Sequence, residues 1–186
     1  MTKVRSAHFV GIGGVGMSWL AQLLLAEGWL VSGSDQADSP LLRKIEAAGA
    51  TICPLGHRPE NVPAGASLVV YTAAAREDNP ELVAARAAGI RTLKRSAFLG
   101  EVMAGKRGVA IAGTHGKTTT TAITGIALTQ GGLDPTVMVG GEVPEFGSTL
   151  RLGRSDLLVV EADEYDATFL QLQDRKSTRL NSSHTD

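Results

Sequence analysis

Short, wholly apolar runs alternate along this chain with longer segments whose apolar residues recur every three or four positions. Residues 7–10 form the first run and predict a strand, with glycines directly after it. Residues 17–26 put Leu20, Leu23 and Leu24 on one side and predict a helix. A strand follows at 29–32, leading to Asp35, and then a helix at 41–48 with Pro40 in its first turn. Further strands are predicted at 51–54, 67–71 and 90–93, with helices at 79–88, opened by Pro80, and at 96–104. Strands alternating with helices imply an α/β fold with a parallel sheet and right-handed crossovers.

Residues 105–108, GKRG, are short, polar and flanked by glycine, and they read as a joint. A second strand–loop–helix unit starts after them, with a strand at 109–112, the loop GTHGKTTTT and a helix over 119–130. Gly131 and Gly132 close that helix, 135–139 predicts a strand, and the apolar run 157–160 ends in EADEYD. Two glycine loops, each behind its own strand, predict two domains, 1–105 and 106–173, with two anion sites. From Asp174 onward the only large apolar residue is Leu180. Residues 174–186 therefore read as a tail foreign to the fold, like translated adapter sequence.

Composition narrows the picture. A formal net charge of -1 argues against a broad footprint for nucleic acid or an anionic membrane, so any anion must be bound locally. The 22 glycines beside 4% aromatics suit tight strand-to-helix turns better than a β-sandwich. A single cysteine, Cys53, rules out an intrachain disulfide; it reads as a small buried strand residue and suits a reducing cytoplasm. The first residues carry no long apolar segment of a signal peptide, and no run is long enough to span a membrane.

The second loop carries the strongest chemical signal. Gly113, Thr114, His115, Gly116, Lys117, Thr118 and Thr119 lie between an apolar strand and a helix. Glycines let backbone N–H groups turn inward, and the helix N-terminus adds positive potential, so the segment suits phosphate. Lys117 can reach the β- and γ-phosphates of a nucleotide, and Thr118 can place its hydroxyl on magnesium. The longer pattern G-x-x-x-x-G-K-[ST] is not met, because Ile111 stands at its first glycine. Glu161, directly after an apolar strand, fits the place of the acid that completes a magnesium site. Asp163, Glu164 and Asp166 follow it and could bind metal, position substrate or be solvated.

The first loop contains Gly11, Gly13, Gly14 and Gly16 as G-x-G-x-x-G, followed by Met17, with Ser34 and Asp35 at the end of the next strand. An acid there can accept a ribose hydroxyl, which taken alone indicates a dinucleotide. Any pyrophosphate on a helix N-terminus uses the same backbone geometry, so the nicotinamide reading is weighed against a nucleotide-sugar.

Together GIGGVGM at 11–17, SGSD at 32–35, GTHGKTTTT at 113–121, DPT at 134–136, the glycine pair at 140–141 and EADEYDATFLQL at 161–172 resemble the Mur ligases. The resemblance covers about residues 6–173 and accounts for Ile111. It implies a Rossmann-like first domain that holds the UDP of a nucleotide-sugar, and the truncated start of a P-loop central domain that binds ATP with Mg2+. A third domain, and the rest of the central one, would lie outside this sequence, so the fragment is expected to be inactive alone. The first motifs are most similar to the branch that joins L-alanine to UDP-N-acetylmuramate. There ATP would phosphorylate the muramoyl carboxylate to an acyl phosphate, which the amine of L-alanine attacks. Lys117, Thr118 and Glu161 would be catalytic, with Thr118 and Glu161 on the metal. His57, Thr72 and Arg95 are further candidate contacts to the UDP-sugar, each with a solvated polar role as the alternative. His115 would lie near ATP, and His8 reads as structural. Two other assignments stay open: the murein tripeptide ligase of peptidoglycan recycling, and a nicotinamide-dependent oxidoreductase, which would leave the second loop and Glu161 unexplained.

Overall fold

A computed structural model of the chain describes residues 5–162. The expectations for Asp163, Glu164, Asp166 and the tail at 174–186 lie outside these described residues. The described strands form two sheets, and the α/β expectation holds in both.

The first sheet has five parallel strands in the order β3-β2-β1-β4-β5: β1 (Ser6–Val10), β2 (Leu30–Ser34), β3 (Thr51–Ile52), β4 (Leu68–Tyr71) and β5 (Thr92–Lys94). The crossovers carry α1 (Val15–Ala26), α2 (Pro40–Ala47), a single 3-10 turn (Pro59–Asn61) and α3 (Pro80–Ala87); α4 (Arg95–Ala104) follows β5. Local chemistry starts two of these helices. Ser39 Oγ accepts from Leu42 N at 3.2 Å with Pro40 behind it. Asn79 Oδ1 accepts from Glu81 N at 3.0 Å with Pro80 behind it. Each cap satisfies a backbone donor that has no partner within its helix, and each proline occupies a position that needs none.

The second sheet runs β6-β9-β7-β8: β6 (Arg107–Ile111), β7 (Thr136–Val143), β8 (Ser148–Arg151) and β9 (Leu157–Glu161), with α5 (Lys117–Gln130) after β6. β9 pairs parallel to both β6 and β7, whereas β8 is an antiparallel edge. Three features differ from the pattern read along the chain. β6 starts inside the polar GKRG segment, because ladder pairing of Arg107 with Leu157 outweighs the weak strand propensity there. β7 continues through the glycine pair to Val143, and β8 has no counterpart among the predicted strands. Both belong to a hairpin around Pro144–Gly147, whose apolar positions are too few to show a period. Asp134 secures its base by accepting from Arg151 Nη2 at 2.7 Å and Arg154 Nε at 3.0 Å. Those two guanidinium bonds hold the Asp134 carboxyl down to about 2.

Alternation in the second sheet decides what covers it. Val137, Val139 and Val159 face α5 with Ala122 and Ile126. The helix approaches so closely at Gly125 that a Cβ there would meet Val137 Cγ1 at 2.7 Å. Met138, Leu158 and Val160 point the other way and join the same apolar cluster as Trp19, Leu20 and Leu23 of α1. Helix α1 is thus buried against β1 and β2 on one side and against the second sheet on the other. One continuous core crosses the 105–108 segment.

A polar cluster sits inside the first sheet's packing. Glu81, in the first turn of α3, is fully buried. Its Oε2 accepts from Ser34 Oγ at 2.6 Å and bonds His8 Nε2 at 3.2 Å; its Oε1 accepts from Asn61 Nδ2 at 2.6 Å and Arg58 N at 3.3 Å. One carboxylate therefore ties β1, β2, the 3-10 turn and α3 together. Burial alone would raise its pKa, but the bonds from His8, Ser34 and Asn61 outweigh that and hold the group at about 2.

Two outcomes follow from this packing. Leu158→Ala, which truncates a fully buried side chain in the shared core, should cost about 2–5 kcal/mol and lower the urea midpoint of a single transition. Glu81 is ionised in the folded state well below its ordinary value of 4.5. Its contribution to stability is present above about pH 4.5 and is lost as the pH falls toward about 2. Urea titrations across that window should show the loss, and Glu81→Gln should remove its share of the slope.

Candidate functional site

The first glycine loop leaves β1 at the place where the sheet order reverses, since β1 connects outward to β2 while β4 returns on its other side. Open parallel sheets bind ligands in that crevice, at the carboxyl ends of the strands. A cavity of about 820 Å³ opens there, lined by Gly11, Gly13, Gly14, Asp35, His57 and Thr72 among others. Gly11 has φ +82°, and a Cβ there would meet Thr72 Cγ2 at 2.7 Å, so both conformation and space call for glycine. Gly11 N and Ile12 N donate to Ser34 O at 2.9 and 3.0 Å, which folds the loop back over the end of β2. Gly14 caps α1 without a side-chain hydrogen bond, so the cap residue itself leaves the N–H groups of the first turn to other partners.

Asp35 is tied into this loop. Its Oδ2 accepts from Gly13 N at 2.9 Å and its Oδ1 from Gln36 N at 2.7 Å. The carboxylate expected to take a ribose hydroxyl therefore also clamps the glycine turn, with acceptor capacity left over. Arg95, at the start of α4, rests against Gly16; a Cβ there would lie 2.7 Å from its Nη1. Its guanidinium is thereby placed beside the first turn of α1. Ser34 and Met17 are both buried behind the loop, so neither side chain is open to a ligand.

The second loop is built by strand register. β6 and β9 are neighbours with Ile111 opposite Glu161, so the loop leaves the sheet beside that carboxylate. Ile111 is a strand residue whose carbonyl accepts from Ala162 N at 2.9 Å, a position that needs no glycine. At the other end Gly116, with φ +74°, turns the chain straight into α5, which starts at Lys117, two residues before the predicted start. Lys117 Nζ donates to Gly113 O at 2.6 Å, holding the ammonium across its own loop. Thr118 Oγ1 donates to Glu161 Oε1 at 3.2 Å, and Gly140 N donates to Glu161 Oε2 at 2.7 Å. Thr114, His115 and Thr119 are exposed around the loop.

Residues 43 positions apart thus place a hydroxyl and a carboxylate oxygen side by side. Two oxygens bound cis on one magnesium ion at 2.0–2.1 Å would lie roughly 3 Å apart, so the pair fits that ion's donor preference and spacing. No cluster of three or more His, Cys, Asp or Glu suited to a metal occurs among the described residues. Among the described residues, Thr118 and Glu161 are the oxygen donors that a cation at this loop would meet.

Glu81 did not stand out in the sequence. A glutamate two residues after an Asn-Pro helix start has the look of an ordinary charge complementing the helix dipole. Only the packing reveals it beneath the first cavity, with Ser34 Oγ bonded both to it and to His57 Nδ1 at 3.0 Å. Cys53 is half-buried, and burial, with the Glu81 charge as a second cause, pushes its thiol pKa up, away from nucleophilic chemistry.

Comparison with known proteins places the chain in a family. The family described as "Mur ligase family, catalytic domain" matches residues 6–107. The chain is 52% identical over 186 residues to a UDP-N-acetylmuramate–L-alanine ligase of Laribacter hongkongensis, covering 99% of this chain and 39% of that protein. It is 48% identical over 170 residues to one of a Sulfurihydrogenibium species, covering 91% and 37%. It therefore spans about two fifths of the length of these relatives. Among solved structures, the UDP-N-acetylmuramate–alanine ligase of Thermotoga maritima superposes with TM-score 0.77 at 31% identity, covering 84% of this chain and 37% of that one. The UDP-N-acetylmuramate:L-alanyl-γ-D-glutamyl-meso-diaminopimelate ligase of Neisseria meningitides gives 0.80 at 30%, covering 88% and 54%. Since the family match spans more than half of the residues, the chain belongs to the Mur ligase family.

Proposed function

We propose that this chain is the substrate- and ATP-binding front part of a ligase that joins L-alanine to the carboxylate of UDP-N-acetylmuramate in peptidoglycan synthesis. The observation that carries the reading is the contact of Thr118 with Glu161 beside Lys117, on a sheet separate from the first glycine loop. Two loops of this kind suit two phosphorylated ligands. Residues 1–105 form the UDP-sugar domain in this reading, and 106–173 begin the ATP domain.

In the first cavity, backbone N–H groups of the glycine loop and the first turn of α1 receive the UDP pyrophosphate, with Arg95 adding charge beside Gly16. His57 and Thr72 flank the nucleoside side of the crevice, and Asp35 keeps the turn closed while accepting a ribose hydroxyl. In the second loop, residues 113–119 wrap the phosphates of ATP, and Lys117 exchanges its bond to Gly113 for the β- and γ-phosphates. Thr118 and Glu161 would hold Mg2+, which when bound would neutralise charge on the transferred phosphoryl group. The muramoyl carboxylate oxygen attacks the γ-phosphorus as ADP leaves. The amine of L-alanine then adds to the acyl phosphate carbonyl, and phosphate departs with formation of the amide bond. Holding the carboxylate in line with the phosphate is most of what the protein must supply.

The relatives of about 50% identity, all of the L-alanine branch, support this choice over the murein peptide ligase. The second loop, with Thr118 against Glu161, weighs against a nicotinamide enzyme. Calorimetry on the chain should show binding of UDP-N-acetylmuramate and none of NADH; the reverse would overturn the reading. Lys117→Ala should weaken binding of ATP with Mg2+ by about tenfold or more while leaving UDP-N-acetylmuramate binding unchanged. Glu161→Gln should reduce the magnesium dependence of ATP binding. Alanine-dependent phosphate release is expected from a protein of the relatives' full length, and not from these 186 residues alone.

A further inference from the structure

The buried carboxylate of Glu81 has a consequence for the ligand side of the first cavity. An ionised carboxylate only accepts hydrogen bonds, and it offers about four lone-pair positions. Four groups reach it: His8 Nε2, Ser34 Oγ, Asn61 Nδ2 and Arg58 N. It is therefore saturated from within the protein, which fits its being held at about 2.

The proton positions follow from that saturation. Ser34 has one hydroxyl proton, and the 2.6 Å bond to Glu81 Oε2 uses it. The 3.0 Å bond between Ser34 Oγ and His57 Nδ1 must then be donated by the imidazole. Glu81 Oε1 at 3.5 Å from the same nitrogen favours a proton there as well. A neutral imidazole with its proton on Nδ1 has a bare Nε2. His57 lines the cavity, and among the described residues its hydrogen bond and its contact with Glu81 are both made through Nδ1. His8 is set by the same carboxylate through its other ring nitrogen, donating from Nε2, while its Nδ1 pairs with Ser32 Oγ at 2.8 Å.

We propose that Glu81 is a positioning residue: through Ser34 it locks His57 as the Nδ1–H tautomer, so that Nε2 faces the first cavity as a hydrogen-bond acceptor for the nucleoside part of the ligand. This rests on the reading of that cavity as the UDP site. An acceptor there selects a ligand N–H or O–H. Uridine offers both, as the base N3–H and the ribose hydroxyls.

Glu81→Gln makes the proposal testable because it reverses the chain of donors. The amide oxygen can keep Asn61 and Arg58 N, which turns its NH2 toward Ser34 and His8. Ser34, relieved of donating to residue 81, can then donate to His57 Nδ1, and the proton of His57 moves to Nε2. Two-bond 1H–15N spectra of histidine-labelled chain at about pH 8, above the ordinary imidazole range, read this directly. Wild type should show His57 protonated on Nδ1 and bare on Nε2, and Glu81→Gln should show the opposite. A wild-type His57 with its proton on Nε2, or on both nitrogens, would overturn the proposal even if the variant failed to fold. So would a folded variant with the tautomer unchanged.

Titration with UDP gives the second readout. Glu81→Gln should weaken UDP by about tenfold. Titrations with 3-methyl-UDP and with 2′- and 3′-deoxy-UDP identify the donor. The analogue that lacks it should lose affinity for wild type and show no further loss in the variant. An equal loss for all analogues would refute the acceptor role. Failure of wild type to bind UDP, with Nδ1–H intact, would instead refute the UDP reading of the cavity and leave the tautomer assignment standing.

Discussion

Burial of α1 on two sides is the constraint on which the rest of the structure depends. A helix that presents Trp19, Leu20 and Leu23 to one cluster containing residues of both sheets cannot leave either without exposing apolar surface. Its N-terminus is also the end of the first glycine loop, so the same packing that completes the core fixes where that loop stands. Met138, Leu158 and Val160 supply the other half of the contact. These are the residues that alternate with the ones under α5, so a one-residue slip of β7 or β9 would break the core and the second loop together.

Strand register then does for the second loop what helix burial does for the first. Glu161 ends β9, which lies between β6 and β7, and from there it meets Thr118 at the start of α5 and Gly140 N on β7. Neither contact needs a long or adaptable side chain. A fixed ladder brings together groups far apart in sequence with little left to conformational entropy.

Three carboxylates in this molecule show how environment divides the work of one functional group. Asp35 sits at the cavity edge and closes a backbone turn. Glu161 is held by a hydroxyl and an amide in an open groove, where oxygen ligands suit a hard cation. Glu81 is sealed from solvent and saturated with donors, so it acts only through what it orients. Its cost of burial is offset by hydrogen bonds that at the same time specify the positions of three neighbouring elements.

Much of this was legible along the chain. Apolar periodicity located the strands and helices of the first sheet, and the prolines before Leu41 and Glu81 marked helix starts, because these signals are local properties of backbone sterics and burial. Glycine spacing identified both loops, since a tight turn before a helix has few sequence solutions. The edge strand β8 and the early start of β6 were not legible, because their order comes from a neighbouring ladder and not from their own side chains. Neither was the role of Glu81, which looks like a surface charge until α3 packs over β1 and β2. The sequence by itself determined which residues could bend, bury or carry charge. Tertiary structure alone decided which of them meet, because hydrogen bonds and ion contacts act over a few ångströms while their partners lie as many as 104 residues apart.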